Sequence, residues 1–479
     1  TVDFIIYYVI MCLSPLHISN PTKPQYRVVG YTAPQLVVPC GRCNECRMHK
    51  QDNWFVRLYS EWLFCKETGG DAFFLTTTYD EGNLPRCTRY KIPCFSRSHV
   101  QNFFKRVRKH LSDHNIDIDF RYFVTCEYGD EKHRPHYHFV IYTYKPTDLN
   151  ALIRLFQSKW HHGISYTSDI NNGIIVDARG LSYVSKYTSK NVYDDDYYYE
   201  WRKILRPCCS TYDDKSSDYW QFEHTRPFTQ TSQEFGLHAF DRLPDGSYKY
   251  PFFQDSDIEQ GYVMLPDVKE GYKKYRLPLY LERRFFFEYH NIDGTIHYSL
   301  NDRGKAVYVK RLDLRITSTK QRFDILTSLR GSEYDSVYSS YGTTAEDFSN
   351  LYHTQCNHDW FLQYLIYSPY KKHSDEDHAF STFNPSQVFF DAVASVFFDP
   401  YINSLSEYSS VDGSSYSDLF CSLLDNAVQW FDLPNNSIMC SIFDDLSYIY
   451  SRSLSGERIK QEEAAVRLKI LKRKLRRSR

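Results

Sequence analysis

At 479 residues, with 58 Lys and Arg set against 59 Asp and Glu for a net charge of −1, the chain has the length for two or three domains, and its 42% hydrophobic residues supply a real core. The apolar opening TVDFIIYYVIM is too short to span a bilayer and lacks a basic leader, which excludes membrane insertion as an expectation. Thirteen cysteines, an odd number without framework spacing outside one cluster, exclude a disulfide scaffold and point to a reducing cytoplasm.

In chain order, residues 1–39 read as an N-terminal arm, and positions 1–10, ahead of Met11, are expected to be upstream read-through. A cysteine cluster opens a domain expected over 40–215. Phe55, Leu58, Tyr59, Trp62 and Leu63 recur at helical spacing within 47–64. AFFLTTT at 72–78 is β-branched and aromatic, a strand. Ser98 reads as the N-cap of a helix with Val100, Phe103, Phe104, Val107 and Leu111 inward and Lys105, Arg106, Arg108 and Lys109 outward. Strands follow at 120–127 and 136–142, joined by the turn-rich YGDEKHRP. Thr147 is the expected cap of the next helix, with Leu149, Leu152, Ile153, Phe156 and Trp160 inward. GIIVD at 173–177 reads as a short strand, and 181–190 as a final helix.

This order suits a split-βαβ α+β domain: a central antiparallel sheet with helices on one face and the other face free for a site. An accessory region is expected at 216–330. Residues 331–455 form an acidic Tyr/Ser-rich region expected to be mostly helical: positions 331–450 hold seventeen Asp and Glu against two Lys. A basic helix closes the chain over 456–479, with ten Lys and Arg against two Glu from 458 onward, a source of sequence-independent affinity for nucleic acid.

Three groups of residues carry chemistry. On a strand, His136 and His138 point to one face about 6.5–7 Å apart, within reach of one metal ion. Glu127, ending the neighbouring strand, offers a carboxylate as third ligand, and His133 in the turn is its alternative; two imidazoles and one carboxylate leave positions open for catalysis. Tyr183 and Tyr187, four apart, share a helix face with Lys186 between them. A phenol is a poor nucleophile at neutral pH, and an ammonium group with a metal-bound phosphate would help to carry its developing charge. Cys40, Cys43 and Cys46 recur every third residue, a pattern for zinc if His49 or Cys65 completes the set; buried thiols without metal are the alternative.

The motifs FFLTTTYDEGNLP (Phe73–Pro85), RPHYHFVIY (Arg134–Tyr142) and YVSKYTSK (Tyr183–Lys190), with MCLSP at Met11 and PCGRCNECR at Pro39, resemble the rolling-circle replication initiators of the HUH endonuclease superfamily, above all those of gokushoviruses in the Microviridae. Thr77 stands where that family usually carries leucine. The resemblance implies an HUH-type fold and a metal-dependent enzyme that nicks and rejoins single-stranded phage origin DNA through a 5′-phosphotyrosine link. It assigns Tyr183 and Tyr187 as nucleophiles assisted by Lys186, His136, His138 and Glu127 as ligands of Mg²⁺ or Mn²⁺, and Thr76, Thr78, Tyr79 and Arg134 as DNA contacts. Host helicase and polymerase partners in the bacterial cytoplasm follow, since the sequence has no GxxxxGK[ST] loop for a fused helicase. A plasmid initiator or single-strand transposase of the same superfamily, and a non-catalytic zinc-containing nucleic-acid-binding protein, are the competing readings.

Overall fold

The structure, a computed structural model, describes residues 16–19, 35–41, 43–86, 91–129, 133–189, 224–267, 271–292, 295–357 and 438–450, with single positions at 360, 361, 363, 364, 436, 453, 456 and 460. The segment 1–10 and nearly all of the basic tail lie outside these residues. In chain order the elements are β1 (Leu16–Ser19), β2 (Gln35–Val38), α1 (Asn44–Glu67), β3 (Ala72–Thr78), α2 (Arg97–Asp113), β4 (Phe120–Tyr128), β5 (Pro135–Thr143), α3 (Leu149–Lys159), β6 (Ser165–Tyr166), α4 (Ala178–Tyr187), β7 (Thr229–Thr231), α5 (Asp255–Glu259), β8 (Tyr262–Pro266), β9 (Tyr272–Arg276), α6 (Leu279–Phe286), β10 (Phe287–Ile292), β11 (Thr295–Leu300), α7 (Asp302–Ser328), α8 (Ser332–Ser340) and α9 (Ala345–Gln355). They fall into two compact units, one drawn from 47–278 and the other from 1–46 with 279–479.

The first unit is built on an antiparallel five-stranded sheet in the order β6-β3-β5-β4-β7, so the chain is α+β as expected. Alternation along the strands decides which side each residue faces. Phe73 and Leu75 of β3, Val124 of β4, and Tyr137, Phe139 and Ile141 of β5 turn to the face covered by α2 and α3. There they pack against Phe103, Phe104, Val107, Leu152, Ile153 and Phe156. Edge contacts of Phe73 with Phe156 at 5.4 Å, and tilted Phe103–Phe139 contacts at 5.3 Å, fill this layer with rings.

Both helices start one or two residues from the expected cap. Ser96, not Ser98, accepts the His99 N–H at 3.2 Å, and Asp148, not Thr147, accepts that of Ala151 at 3.1 Å. In each case the oxygen that reaches the third helical N–H wins, and Thr147 donates instead to the Lys145 carbonyl. Arg106 also departs from its expected outward position, its Nε donating to the Lys159 carbonyl at 2.9 Å and tying α2 to α3.

The second face of the sheet, expected open, carries helices of its own. Trp54 of α1 meets Phe123 of β4 edge-on at 5.2 Å, and the Tyr142 hydroxyl donates to the Leu58 carbonyl at 3.2 Å. Helix α4 covers the remainder of that face. The strand expected at 173–177 is absent: Asn171 and Asn172 stand in left-handed conformation, at φ of 50° and 49°, and only Ile174 bridges to Phe73. The edge of β3 is taken instead by β6, paired to Thr76 and Thr77. Strand β7, paired to Phe123, Val124 and Thr125, brings residues past the expected boundary at 215 into the same sheet.

In the second unit, Phe323 of α7 stacks on Phe443 at 3.7 Å, and Val337, Tyr338, Phe348, Tyr352, Ile442 and Leu446 close a helical core. The described part of the acidic region is thus folded and helical. No helix among the described residues is long and apolar enough to cross a membrane.

One buried carboxylate ties α1 to the sheet unit. Glu61, fully buried, receives the Tyr144 hydroxyl, the Gly236 N–H and, at 3.4 Å, the Arg121 guanidinium, which also reaches His238 Nε2 at 2.9 Å. Removing it leaves three donors and a partly buried cation without their acceptor. Glu61→Ala is therefore expected to destabilise the sheet unit by about 3 kcal/mol, read as a lowered midpoint in thermal or urea unfolding, with Glu61→Gln losing less.

Candidate active site

The sheet register assembles the site. Thr78, His136 and Glu127 lie in one row across β3, β5 and β4, and Thr76, His138 and Thr125 in the next, all on the second face. The rows bring together residues that are far apart in sequence, because antiparallel neighbours opposite or diagonal to one another have side chains in contact range. Glu127 and His138 are nearly closed off from solvent, at 3% and 4% exposure. Glu127 Oε1 lies 3.2 Å from His138 Nε2, and His138 Nδ1 lies 3.1 Å from the Thr76 hydroxyl. That hydroxyl both donates and accepts, so it holds the ring in either tautomer. The Thr78 hydroxyl donates to the Pro135 carbonyl at 3.1 Å and steadies the start of β5.

His136 stands apart from this pair. Its ring lies 6.5 Å from that of His138, and Nδ1–H donates to the Arg134 carbonyl at 2.8 Å, which leaves Nε2 as the ring's basic nitrogen. Gly129 forms the wall behind it: a Cβ there would fall 2.5 Å from His136 Cε1. His133, in left-handed conformation at φ 48°, remains in the turn.

Over this face lies α4. Asp177 caps it, accepting the Arg179 N–H at 2.8 Å, so the helix starts at Ala178, three residues before the expected position. Leu181 and Val184 are buried beneath it, while Tyr183 is 53% exposed and Tyr187 half-buried. The Tyr187 ring lies on the His138 ring at 3.8 Å and 23°, and the two tyrosine hydroxyls are hydrogen-bonded to one another. Burial first, then the Tyr183 hydroxyl and the Glu127 carboxylate, push the Tyr187 phenol well above its ordinary range. Its ionisation therefore needs positive charge brought close to the phenolic oxygen. Lys186 is exposed on the same helix.

Phe74 is the floor that the sequence reading missed. It stacks with His138 at 5.7 Å and contacts the rings of Tyr187 and Tyr183 at 6.3 Å each, so one strand residue sets the height of both tyrosines. Its place in β3, two residues before Thr76, was the available signal. Gly129, too, was visible only as a turn residue.

Two expected DNA contacts are placed elsewhere. Tyr79, at 0% exposure, points into the helix-covered face, its hydroxyl 3.0 Å from His99 Nδ1 and from the Tyr137 hydroxyl; alternation puts it opposite Thr76 and Thr78, and it offers DNA no surface. Arg134 is ion-paired to Glu81 at 2.7 Å and donates to the Tyr79 carbonyl, so its guanidinium serves the turn.

Among the described residues, only Cys40, Cys43 and Cys46 bring three His, Cys, Asp or Glu ligand atoms within 4.8 Å of one another, a grouping that could hold a metal ion. Cys40 and Cys46 are buried with their sulfurs 4.0 Å apart, and the Cys43 N–H points to Cys40 Sγ at 3.4 Å. Neither expected fourth ligand is poised for the role. Cys65 lies at the far end of α1 bonded to the Thr143 carbonyl, and the nitrogens of His49 face Asn53 and Arg276.

Residues 72–192, which hold β3 through α4, match the family of Replication-associated protein ORF2. The chain is 23% identical over 321 residues to the replication-associated protein ORF2 of Spiroplasma virus 4, covering 65% of this chain and 86% of that protein. It is 27% identical over 277 residues to the replication-associated protein VP4 of Bdellovibrio phage phiMH2K, covering 53% and 74%, and 24% identical over 168 residues to the replication-associated protein ORF4 of Chlamydia phage 1, covering 32% and 38%. No solved structure matches the chain. The strands and helix that build the site thus lie inside the matched segment, and the chain belongs with the replication-associated proteins of gokushoviruses in the Microviridae.

Proposed function

We propose that the chain initiates rolling-circle DNA replication as a single-strand endonuclease and ligase of the HUH type. The observation that carries this reading is the seating of the Tyr187 ring on His138, with Glu127 beneath and the Tyr183 hydroxyl joined to that of Tyr187. It puts phenolic oxygens over an imidazole–carboxylate pair of the kind that takes a hard or borderline cation.

The ligand set fits such an ion. Cis ligands about 2.1 Å from a metal stand about 3 Å apart, close to the 3.2 Å between Glu127 Oε1 and His138 Nε2. His136 Nε2 is the third donor, its ring oriented from behind by the Arg134 carbonyl, and Thr76 performs the same service for His138. Mg²⁺ is favoured by abundance and Mn²⁺ by the imidazoles. When bound, the ion polarises the scissile phosphate and offsets charge on its oxygens.

The phenolic oxygen of one tyrosine attacks phosphorus in line, forming the O–P bond as the bond to the 3′ oxygen breaks. The phenol loses its proton, and the departing 3′ oxygen gains one. The 5′ end stays on the protein, and the 3′-OH primes a polymerase. The second tyrosine, one helical turn away, reverses the exchange after a round of copying and frees a closed strand. Lys186 adds positive charge beside the phenols. Host helicase and polymerase act with the chain in the bacterial cytoplasm.

The three cysteines form a separate soft-ligand site on this reading, and zinc is its ion. Tetrahedral Zn–S bonds of about 2.3 Å place sulfurs about 3.8 Å apart, against 4.0 Å for Cys40 and Cys46. Thiolate charge there is favoured by the N-terminal turn of α1.

Three outcomes are expected. Incubation with labelled origin single strand and Mn²⁺ gives a covalent protein–DNA adduct that EDTA abolishes and a Tyr183→Phe, Tyr187→Phe double variant lacks; an adduct surviving in that variant refutes the assignment. Gly129→Ala, by driving the His136 ring aside, lowers the rate of adduct formation about 10- to 100-fold while leaving the unfolding midpoint of the sheet unit within a few degrees of the parent. Elemental analysis of the purified chain finds one zinc per molecule, lost in Cys43→Ser; a metal-free parent protein rejects the cysteine site.

A further inference from the structure

The site leaves unused the β8–β9 hairpin and the segment 250–257 before it. In that hairpin Met264 pairs with Lys274, Tyr262 with Arg276 and Pro266 with Tyr272, so Tyr262, Met264, Tyr272 and Lys274 share one face. Val263, Leu265 and Tyr275 turn the other way and are buried. The first face borders a depression of about 250 Å³ lined by Pro251, Phe252, Gln254, Asp257, Met264 and Tyr272. This is below the roughly 300–1,000 Å³ of pockets that enclose a drug-sized ligand, and offers room for one flat ring.

Three observations give the depression a preference. Tyr272 is 58% exposed, its ring inclined 40° to that of Phe252 at 5.9 Å, so the two make an open aromatic corner. Lys274 Nζ sits 3.6 Å above the Tyr262 ring on the same face, a fixed cation beside the corner. The one carboxylate in the lining, that of Asp257, is occupied by the Tyr262 hydroxyl, so it does not set a bare negative charge against an incoming anion. An isolated exposed tyrosine is ordinary. An exposed aromatic corner with a ring-sized recess and an adjacent cation matches a flat base joined to a phosphate.

We infer that this face of the β8–β9 hairpin is a nucleobase-stacking site for single-stranded DNA, the base lying on Tyr272 against Phe252 and Met264 and its phosphate facing Lys274. This rests on the reading that single-stranded DNA is the chain's substrate, and adds a second point of grip outside the catalytic strands. Stacking is sequence-tolerant, since every base has a π-face, so the contact holds the strand without selecting the origin.

The test is fluorescence anisotropy of the full chain with a labelled oligothymidylate of about 20 nucleotides, longer than the reach of a single contact. Tyr272→Ala is expected to weaken binding about tenfold, Tyr272→Phe to stay within about twofold of the parent, and Lys274→Ala to weaken binding and lower the salt dependence by about one counterion. A parent chain that does not bind the oligonucleotide overturns the inference. So does a Tyr272→Ala chain that binds within about twofold of the parent, which leaves the face to a protein occupant. Adduct formation at saturating origin strand, read in parallel, separates this from the nicking reading. An adduct with no Tyr272 dependence of binding sinks the stacking site alone, and Tyr272-dependent binding without an adduct sinks the nicking reading alone.

Discussion

The register of β3 against β5, and of β5 against β4, is the constraint on which the site depends. Pairing Thr76 with His138, and Glu127 with His136, puts hydroxyl, imidazole and carboxylate on one face in two adjacent rows. A slip of one residue in β5 would send both histidines into the layer filled by Phe103 and Phe156, and bring Tyr137 and Phe139 up to meet the tyrosine helix. The aromatic core beneath the sheet thus protects the site above it. Burying Tyr137 and Phe139 is strongly favourable, and burying two imidazoles in their place is not.

Helix α4 is held to that face by the same logic of alternate sides. Leu181 and Val184 bind it to the sheet, and its i, i+4 partner positions deliver Tyr183 and Tyr187 over Phe74 and His138. The two hydroxyls differ in surroundings: one belongs to an exposed ring, the other to a half-buried ring beside a carboxylate. That asymmetry is a physical basis for the two phenols to take different turns in a two-step exchange.

The 42 tyrosines of the chain are put to several uses, and burial sorts them. Tyr79, Tyr128, Tyr137 and Tyr142 are fully buried, and each hydroxyl has a hydrogen-bond partner: Tyr79 and Tyr137 with one another, Tyr128 with the Pro93 and Thr225 carbonyls, Tyr142 with that of Leu58. These are core residues that happen to carry a polar tip. Tyr183 and Tyr272 instead present their rings to solvent on a helix and a hairpin face, where a phenol can meet a ligand.

Much of the sheet unit was legible without coordinates. Period-two and period-3.6 patterns located β3, β4, β5, α2 and α3 to within a few residues, because each buries one continuous apolar face and its neighbours enforce that face. The caps slipped by one or two residues, since Ser96 and Ser98, or Thr147 and Asp148, offer the same chemistry and only backbone geometry separates them. The site residues were legible as types and spacings: two histidines on a strand, a carboxylate ending its neighbour, two tyrosines one turn apart. What chain order could not convey was distance. That Tyr79 faces the core and Arg134 serves Glu81, that Phe74 floors the site and Gly129 backs His136, and that β7 joins from beyond residue 215, depend on contacts between segments remote in sequence. Local pattern records which face a residue prefers, while only the packed sheet determines what stands across from it.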